Sequence, residues 1–144
     1  MVTKVKVDYD TEISDLMMVN SDFYYEFGVE VLDLMLVEVS PCKKYEYLYL
    51  FMGVDMVSFF VNSLLDYNIA VYEKDDFTIT FKKIIKDNKI DDFKSKLSDV
   101  YTFDSLLNKF YSESIDIDDV LDKISYNGLG SLSEYDYNVL NNNH

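Results

Sequence analysis

Few side chains in this chain are placed to do chemistry, and their spacing decides how far each could go. Cys42 is the sole cysteine and sits in Ser40-Pro41-Cys42-Lys43-Lys44. Two ammonium groups beside a thiol favour the thiolate, which makes Cys42 a candidate reactive thiol. A serine or cysteine nucleophile also needs a base within hydrogen-bond reach, most often histidine. The only histidine is His144, at the end of an asparagine-rich tail, so no nucleophile and base pair stands out.

Metal chemistry fares little better. Asp8, Asp10 and Glu12 reproduce the first three ligand positions of a calcium loop, but Ile13 stands where the loop needs glycine and Val19 where it needs a bidentate glutamate. In the run Asp116-Ile117-Asp118-Asp119-Val120-Leu121-Asp122, helical spacing puts Asp118 and Asp119 each beside Asp122. Such pairs hold a hard cation weakly, and the commoner use of such a run is a solvated helix face with acids near its positive end. The sequence has no G-x-x-x-x-G-K-[ST], G-x-G-x-x-G or H-E-x-x-H pattern. The expectation is a non-enzymatic protein with no catalytic residue, no metal and no cofactor.

Charge is the stronger signal. The 144 residues carry 27 acids against 13 lysines and no arginine, a formal net charge of −14. Residues 1–53 hold ten acids and four lysines, residues 54–112 ten and eight, and residues 113–144 seven and one. Both ends are acidic and the middle is nearly balanced. A field of this sign repels nucleic acid and anionic membrane and attracts basic surfaces, including the grooves of nucleic-acid enzymes. It also serves simply to keep a chain with 13 tyrosines and 10 phenylalanines soluble. Without arginine there is no guanidinium fork for bidentate recognition of phosphate or carboxylate. The bias towards Ile, Asn, Lys, Tyr, Asp and Phe matches AT-rich coding, common among phages and mobile elements.

The elements that must position these residues follow from hydrophobic period. The length suits a single domain with its own core. Lys4-Val5-Lys6-Val7 alternates as a strand does, and Ile13, Leu16 and Met17 suggest a short helix behind Thr11. Residues 29–39 read as a buried strand, paired through the turn at 40–44 with residues 45–52, whose Tyr45, Tyr47, Tyr49 and Phe51 share one face. That aromatic face suits core packing better than ligand binding. Val57, Phe60, Val61, Leu64 and Leu65 mark an amphipathic helix at about residues 55–67. Residues 69–72 and 77–81 read as a second hairpin with Glu73-Lys74-Asp75-Asp76 at its tip. From residue 88 onward the period is helical, with a stop at Asn127-Gly128 and a final helix opened by Ser133 and Asp136 in capping-box spacing. The expected class is α+β: a small, mostly antiparallel sheet of two hairpins with one packed helix in a mainly β segment 1–87, then a helical segment 88–144.

Within that last segment Ile117, Asp118, Val120, Leu121, Asp122, Lys123, Ile124, Gly128, Ser131, Leu132, Ser133, Asp136 and Leu140 follow the pattern I-D-x-[IV]-L-D-K-I-x-x-x-G-x-x-S-L-[ST] and an ensuing acidic helix. Residues 117–140 thus resemble a short helix-turn-helix tail at the C-terminus of some bacterial proteins, including certain rhomboid-family proteases. Tyr135 stands where that tail usually has an acid. The resemblance implies a docking appendage, not the protease activity, because the chain lacks the membrane helices that activity requires. DNA binding by this hairpin is disfavoured, since Lys123 is the only basic residue after Lys109.

The functional expectation is an acidic protein-binding module that occupies a basic surface of another macromolecule. Its sharpest form is a phage or mobile-element inhibitor whose carboxylates mimic nucleic-acid phosphates on a host enzyme. The expected partner-binding residues are Asp116, Asp118, Asp119, Asp122, Glu134 and Asp136. The alternative is a structural or assembly component, or an immunity protein against a basic toxin. The lone cysteine, the absence of a signal-peptide core at the N-terminus and the lack of a long apolar run point to the cytoplasm, without direct contact to nucleic acid or membrane.

Overall fold

The alternation at the N-terminus sets the plane on which everything else packs. In the computed structural model, which describes residues 1–9 and 13–142, it forms strand β1 (Thr3–Asp8), with Val5 and Val7 buried on one face. Thr11, expected to cap the first helix, lies outside the described residues, as do Asp10, Glu12 and His144. Helix α1 (Ile13–Phe27) continues through the aromatic stretch and ends at Gly28, whose φ of 73° suits a residue without a Cβ.

A short 3-10 turn (Val31–Leu34) leads into β2 (Met35–Val39), and β3 (Tyr45–Leu50) returns beside it. The expected strand over 29–39 is therefore shorter. Met35 pairs with Leu50, the last residue of β3, and one further bond, from the Phe51 N–H to the Leu34 carbonyl at 2.8 Å, reaches back into the 3-10 turn. Asn20 Oδ1 instead accepts from the Val31 N–H at 2.9 Å and holds that turn against α1. Helix α2 (Val54–Asp66) follows, and Asn68 at φ 61° carries the chain out of it.

The expected second hairpin does not form. The charged tip Glu73-Lys74-Asp75-Asp76 is itself most of strand β4 (Val71–Asp76), antiparallel to β1, with Asp75 opposite Lys4 and Glu73 opposite Lys6. A charged row suits an edge strand, where it discourages pairing with other chains. Residues 77–81, read as the returning strand, begin helix α3 (Thr78–Lys86). Phe77, Phe81 and Ile85 recur every four residues, which keeps them on one helical face and sends Ile79 out, 83% exposed. Asp76 Oδ1 accepts from the Thr78 N–H at 3.0 Å, and the Thr78 hydroxyl accepts from the Val2 N–H at 2.9 Å, fastening the start of α3 to the sheet.

Four antiparallel strands thus make one sheet in the order β2-β3-β1-β4. The class is α+β with a helical C-terminal part, although residues 1–87 also contain α1, α2 and α3. The sheet is covered on both faces. Val5, Val7, Leu48 and Leu50 pack with Val19 and Phe23 of α1 and Phe60 and Leu64 of α2. On the opposite face Leu36, Tyr49 and Phe51 join Phe81 of α3, Phe93 of α4 (Ile90–Ser95) and Phe110 of α5 (Phe103–Ser114). The aromatic row of β3 and of Phe51 just beyond it accordingly serves packing at Tyr49 and Phe51, while Lys6 Nζ lies 4.1 Å from the ring centre of half-buried Tyr45. Helices α6 (Ile117–Asn127) and α7 (Glu134–Asn142) close the chain as a hairpin against α5. Among the described residues no helix is long and apolar enough to cross a membrane.

Candidate functional site

The acidic run from Asp116 to Asp122 becomes the cap and first turns of α6, and the structure engages three of its four carboxylates. Asp116 is the N-cap. Its carboxylate accepts from the Asp119 N–H at 3.0 Å, and the Asp119 carboxylate accepts from the Asp116 N–H at 3.0 Å, a reciprocal capping box. The Asp119 backbone donor holds the Asp116 carboxyl below the usual aspartate range. Asp119 also meets Lys82 of α3 at 3.3 Å, and Asp122 meets Lys86 at 3.7 Å. Three of the six expected partner-binding acids are thus engaged inside the chain.

Asp136 departs furthest from expectation, because it is not on the surface at all. It is 1% exposed. Its Oδ2 accepts from Lys123 Nζ at 2.7 Å and from the N–H and hydroxyl of Ser133 at 2.8 and 3.0 Å, while Oδ1 accepts from the Tyr111 hydroxyl at 2.9 Å. The expected Ser133 and Asp136 capping pair is present, with Asp136 N–H donating to Ser133 Oγ at 3.3 Å, but it is embedded in a network joining α5, α6 and α7. Burial, then the adjoining Asp136 charge, pushes the Tyr111 hydroxyl well above its ordinary value of 10. Asp118 and Glu134 remain exposed without an ion pair among the described residues.

A second acidic surface, with no ion pair among the described residues, lies on the layer of α1, the 3-10 turn and α2. No lysine occurs between Lys6 and Lys43 or between Lys44 and Lys74. Asp22, Glu26, Glu30, Asp33, Asp55 and Asp66 are exposed on this layer, and among them stand Met17, Met18, Tyr24 and Tyr25, the last 92% exposed. At one end Lys43 and Lys44 line a cleft with Asp15 and Asp66. The missing lysines were the available signal, hidden because whole-segment charge counts average over Lys4, Lys6, Lys43 and Lys44.

Cys42 sits at that end, exposed in the β2–β3 turn. Ser40 Oγ lies 3.5 Å from its sulfur and accepts from the N–H groups of Lys44 and Tyr45. Hydrogen bonding by Ser40, followed by the Lys44 backbone, lowers the thiol pKa. Among the described residues no three His, Cys, Asp or Glu side chains converge to hold a metal ion.

A cavity of about 370 Å³ opens between α3 and α6. Ile85, Ile115, Lys123 and Asp136 are its buried floor, and Ile79 and Tyr126 are its exposed rim. Sequence reading missed it, because it exists only once residues 77–86 become a helix.

Compared with protein-family models, with curated proteins and with solved structures, the chain matches none.

Proposed function

We propose that this protein is a non-catalytic, acidic binding module that docks on a basic surface of another macromolecule. The supporting observation is the lysine-free layer of α1 and α2, which combines uncompensated carboxylates with exposed methionine and tyrosine. Acids there attract and orient a basic partner, while Met17, Met18, Tyr24 and Tyr25 supply the apolar contact from which interfaces draw most of their affinity. In the sharper form of this reading the partner is a nucleic-acid enzyme, with carboxylates standing where phosphates would, as in an inhibitor carried by a phage or mobile element. Asp118 and Glu134 extend the acidic surface at the C-terminal hairpin, the part that resembles a docking tail. Asp116, Asp119 and Asp122 contribute less, being engaged in the α6 cap or paired to Lys82 and Lys86, and Asp136 is excluded by burial.

The test is affinity capture with a salt gradient, repeated with two variants. One neutralises the α1 layer (Asp22→Asn, Glu26→Gln, Glu30→Gln, Asp33→Asn) and the other the C-terminal hairpin (Asp118→Asn, Asp122→Asn, Glu134→Gln). Exposed charges are screened beyond roughly 8–10 Å at physiological salt, so a bound partner elutes as salt rises, and earlier from the α1-layer variant. Binding indifferent to salt and to both variants would overturn the charge-based reading. It would favour instead an assembly component held by the exposed α1 tyrosines and methionines.

A further inference from the structure

We infer that the cavity between α3 and α6 is a binding site for a small amphiphilic carboxylate, one apolar body carrying a single negative charge. This is separate from macromolecular docking on the α1 layer. The volume of about 370 Å³ falls within the roughly 300–1,000 Å³ usual for small-molecule sites.

The lining specifies the ligand. Ile85 and Ile115, 4% and 8% exposed, form an apolar floor, and Ile79 and Tyr126 leave large apolar surfaces at the mouth, 83% and 73% exposed. A ligand with an apolar body covers what the chain itself leaves in water. The charge departs from that of the protein as a whole. Four lysines (Lys82, Lys83, Lys86, Lys123) line the cavity with three aspartates (Asp87, Asp119, Asp136), and Asp122 lies 3.7 Å from Lys86, so the site is locally balanced in a chain of net −14.

Lys123 supplies the most specific feature. Its side chain is 3% exposed, and its ammonium has three donors, of which one goes to Asp136 Oδ2 at 2.7 Å, its one hydrogen bond among the described residues. Asp136 has no comparable need, because Tyr111, Ser133 and Lys123 already donate to its two oxygens. Buried donors without acceptors are costly, so an acceptor entering the cavity is favoured. A carboxylate provides it with a single charge, whereas a phosphate monoester brings a charge of about −1.5 to −2, to be met without any arginine.

Decanoate is a suitable probe, titrated below its micelle concentration by NMR and calorimetry against decanol, decyl phosphate and decyltrimethylammonium. Decanoate is expected to bind one-to-one with Kd below about 1 mM, and each of the other three at least about tenfold more weakly. Its chemical-shift changes should centre on Ile79, Ile85, Ile115 and Lys123. Ile79→Asp and Lys83→Glu alter exposed positions and leave the thermal midpoint in place. Each should weaken decanoate by about tenfold. Decanol binding as tightly, tighter binding of decyl phosphate, indifference to both variants, or absence of decanoate binding would each overturn the inference.

Discussion

Lys123 Nζ donates to Asp136 Oδ2 across 2.7 Å, with the two side chains 3% and 1% exposed, and this contact ties α6 to α7. Ser133 and Tyr111 complete the carboxylate's shell, so the pair is a junction of three helices rather than a surface bridge. Breaking such a pair from one side strands a buried charge, at about 3–5 kcal/mol. Lys123→Met is expected to destabilise by that amount in chemical denaturation. Adding Asp136→Leu should recover only part of the loss, since it removes the stranded charge but leaves the Tyr111 hydroxyl and the Ser133 N–H without their acceptor. A cost below about 1 kcal/mol for Lys123→Met would contradict the role of the pair.

Phe81 and Ile79 separate the helical from the extended form of residues 77–81. In a strand the two would share a face. In the structure Phe81 is fully buried, with ring centres 4.8 Å from Phe110 and 5.4 Å from Phe93, while Ile79 is 83% exposed. Phe81→Ala should therefore cost about 3–5 kcal/mol, and Ile79→Ala within about 0.5 kcal/mol of nothing. Comparable losses at the two positions would restore the hairpin.

These same residues explain which parts of the fold were legible from sequence. Phe77, Ile79 and Phe81 satisfy a period of two, and Phe77, Phe81 and Ile85 satisfy a period near four, so the apolar positions alone admitted both elements. The outcome was decided by tertiary partners. Asp76 and Val2 bond to Thr78, and the charged stretch before it gained a strand partner in β1, with Lys6 3.9 Å from Glu73. By contrast, β1, the β2–β3 hairpin, α2 and the capped α6–α7 hairpin depend on local pattern and turn chemistry, and they were readable. The acidic candidates show the same divide. The helical run at Asp116–Asp122 was visible, but sequence does not show that lysines on α3 would face it or that Asp136 would be drawn inside.

Alkaline pH should test the two buried phenols. Burial, then the hydrogen bond to Glu38 at 2.7 Å, raises the Tyr49 pKa above its ordinary value of 10, and burial beside Asp136 raises that of Tyr111. A group whose folded pKa is raised contributes stability that is complete below the unfolded pKa and is lost as pH climbs above it. Stability is therefore expected to fall as pH rises beyond about 10. Phenolate absorbance from Tyr49 and Tyr111 should appear together with loss of folded circular dichroism. Tyr49→Phe with Tyr111→Phe should flatten this dependence. An unchanged slope in the double variant would place the alkaline sensitivity elsewhere.

Thr3 holds a buried defect in the otherwise regular alternation of β1. It is 3% exposed, on the face shared with Val5 and Val7, and its hydroxyl has no hydrogen-bond partner among the described residues. A buried hydroxyl without a partner costs about 1–3 kcal/mol relative to a paired one, and valine keeps the branched shape while removing the polar atom. Valine also suits a strand packed on both sides. Thr3→Val should accordingly raise stability by about 1 kcal/mol, seen as a higher urea midpoint at unchanged slope. Thr3→Ser, which keeps the hydroxyl and deletes the methyl, should lower it. A destabilising Thr3→Val would mean that the hydroxyl is hydrogen-bonded in solution.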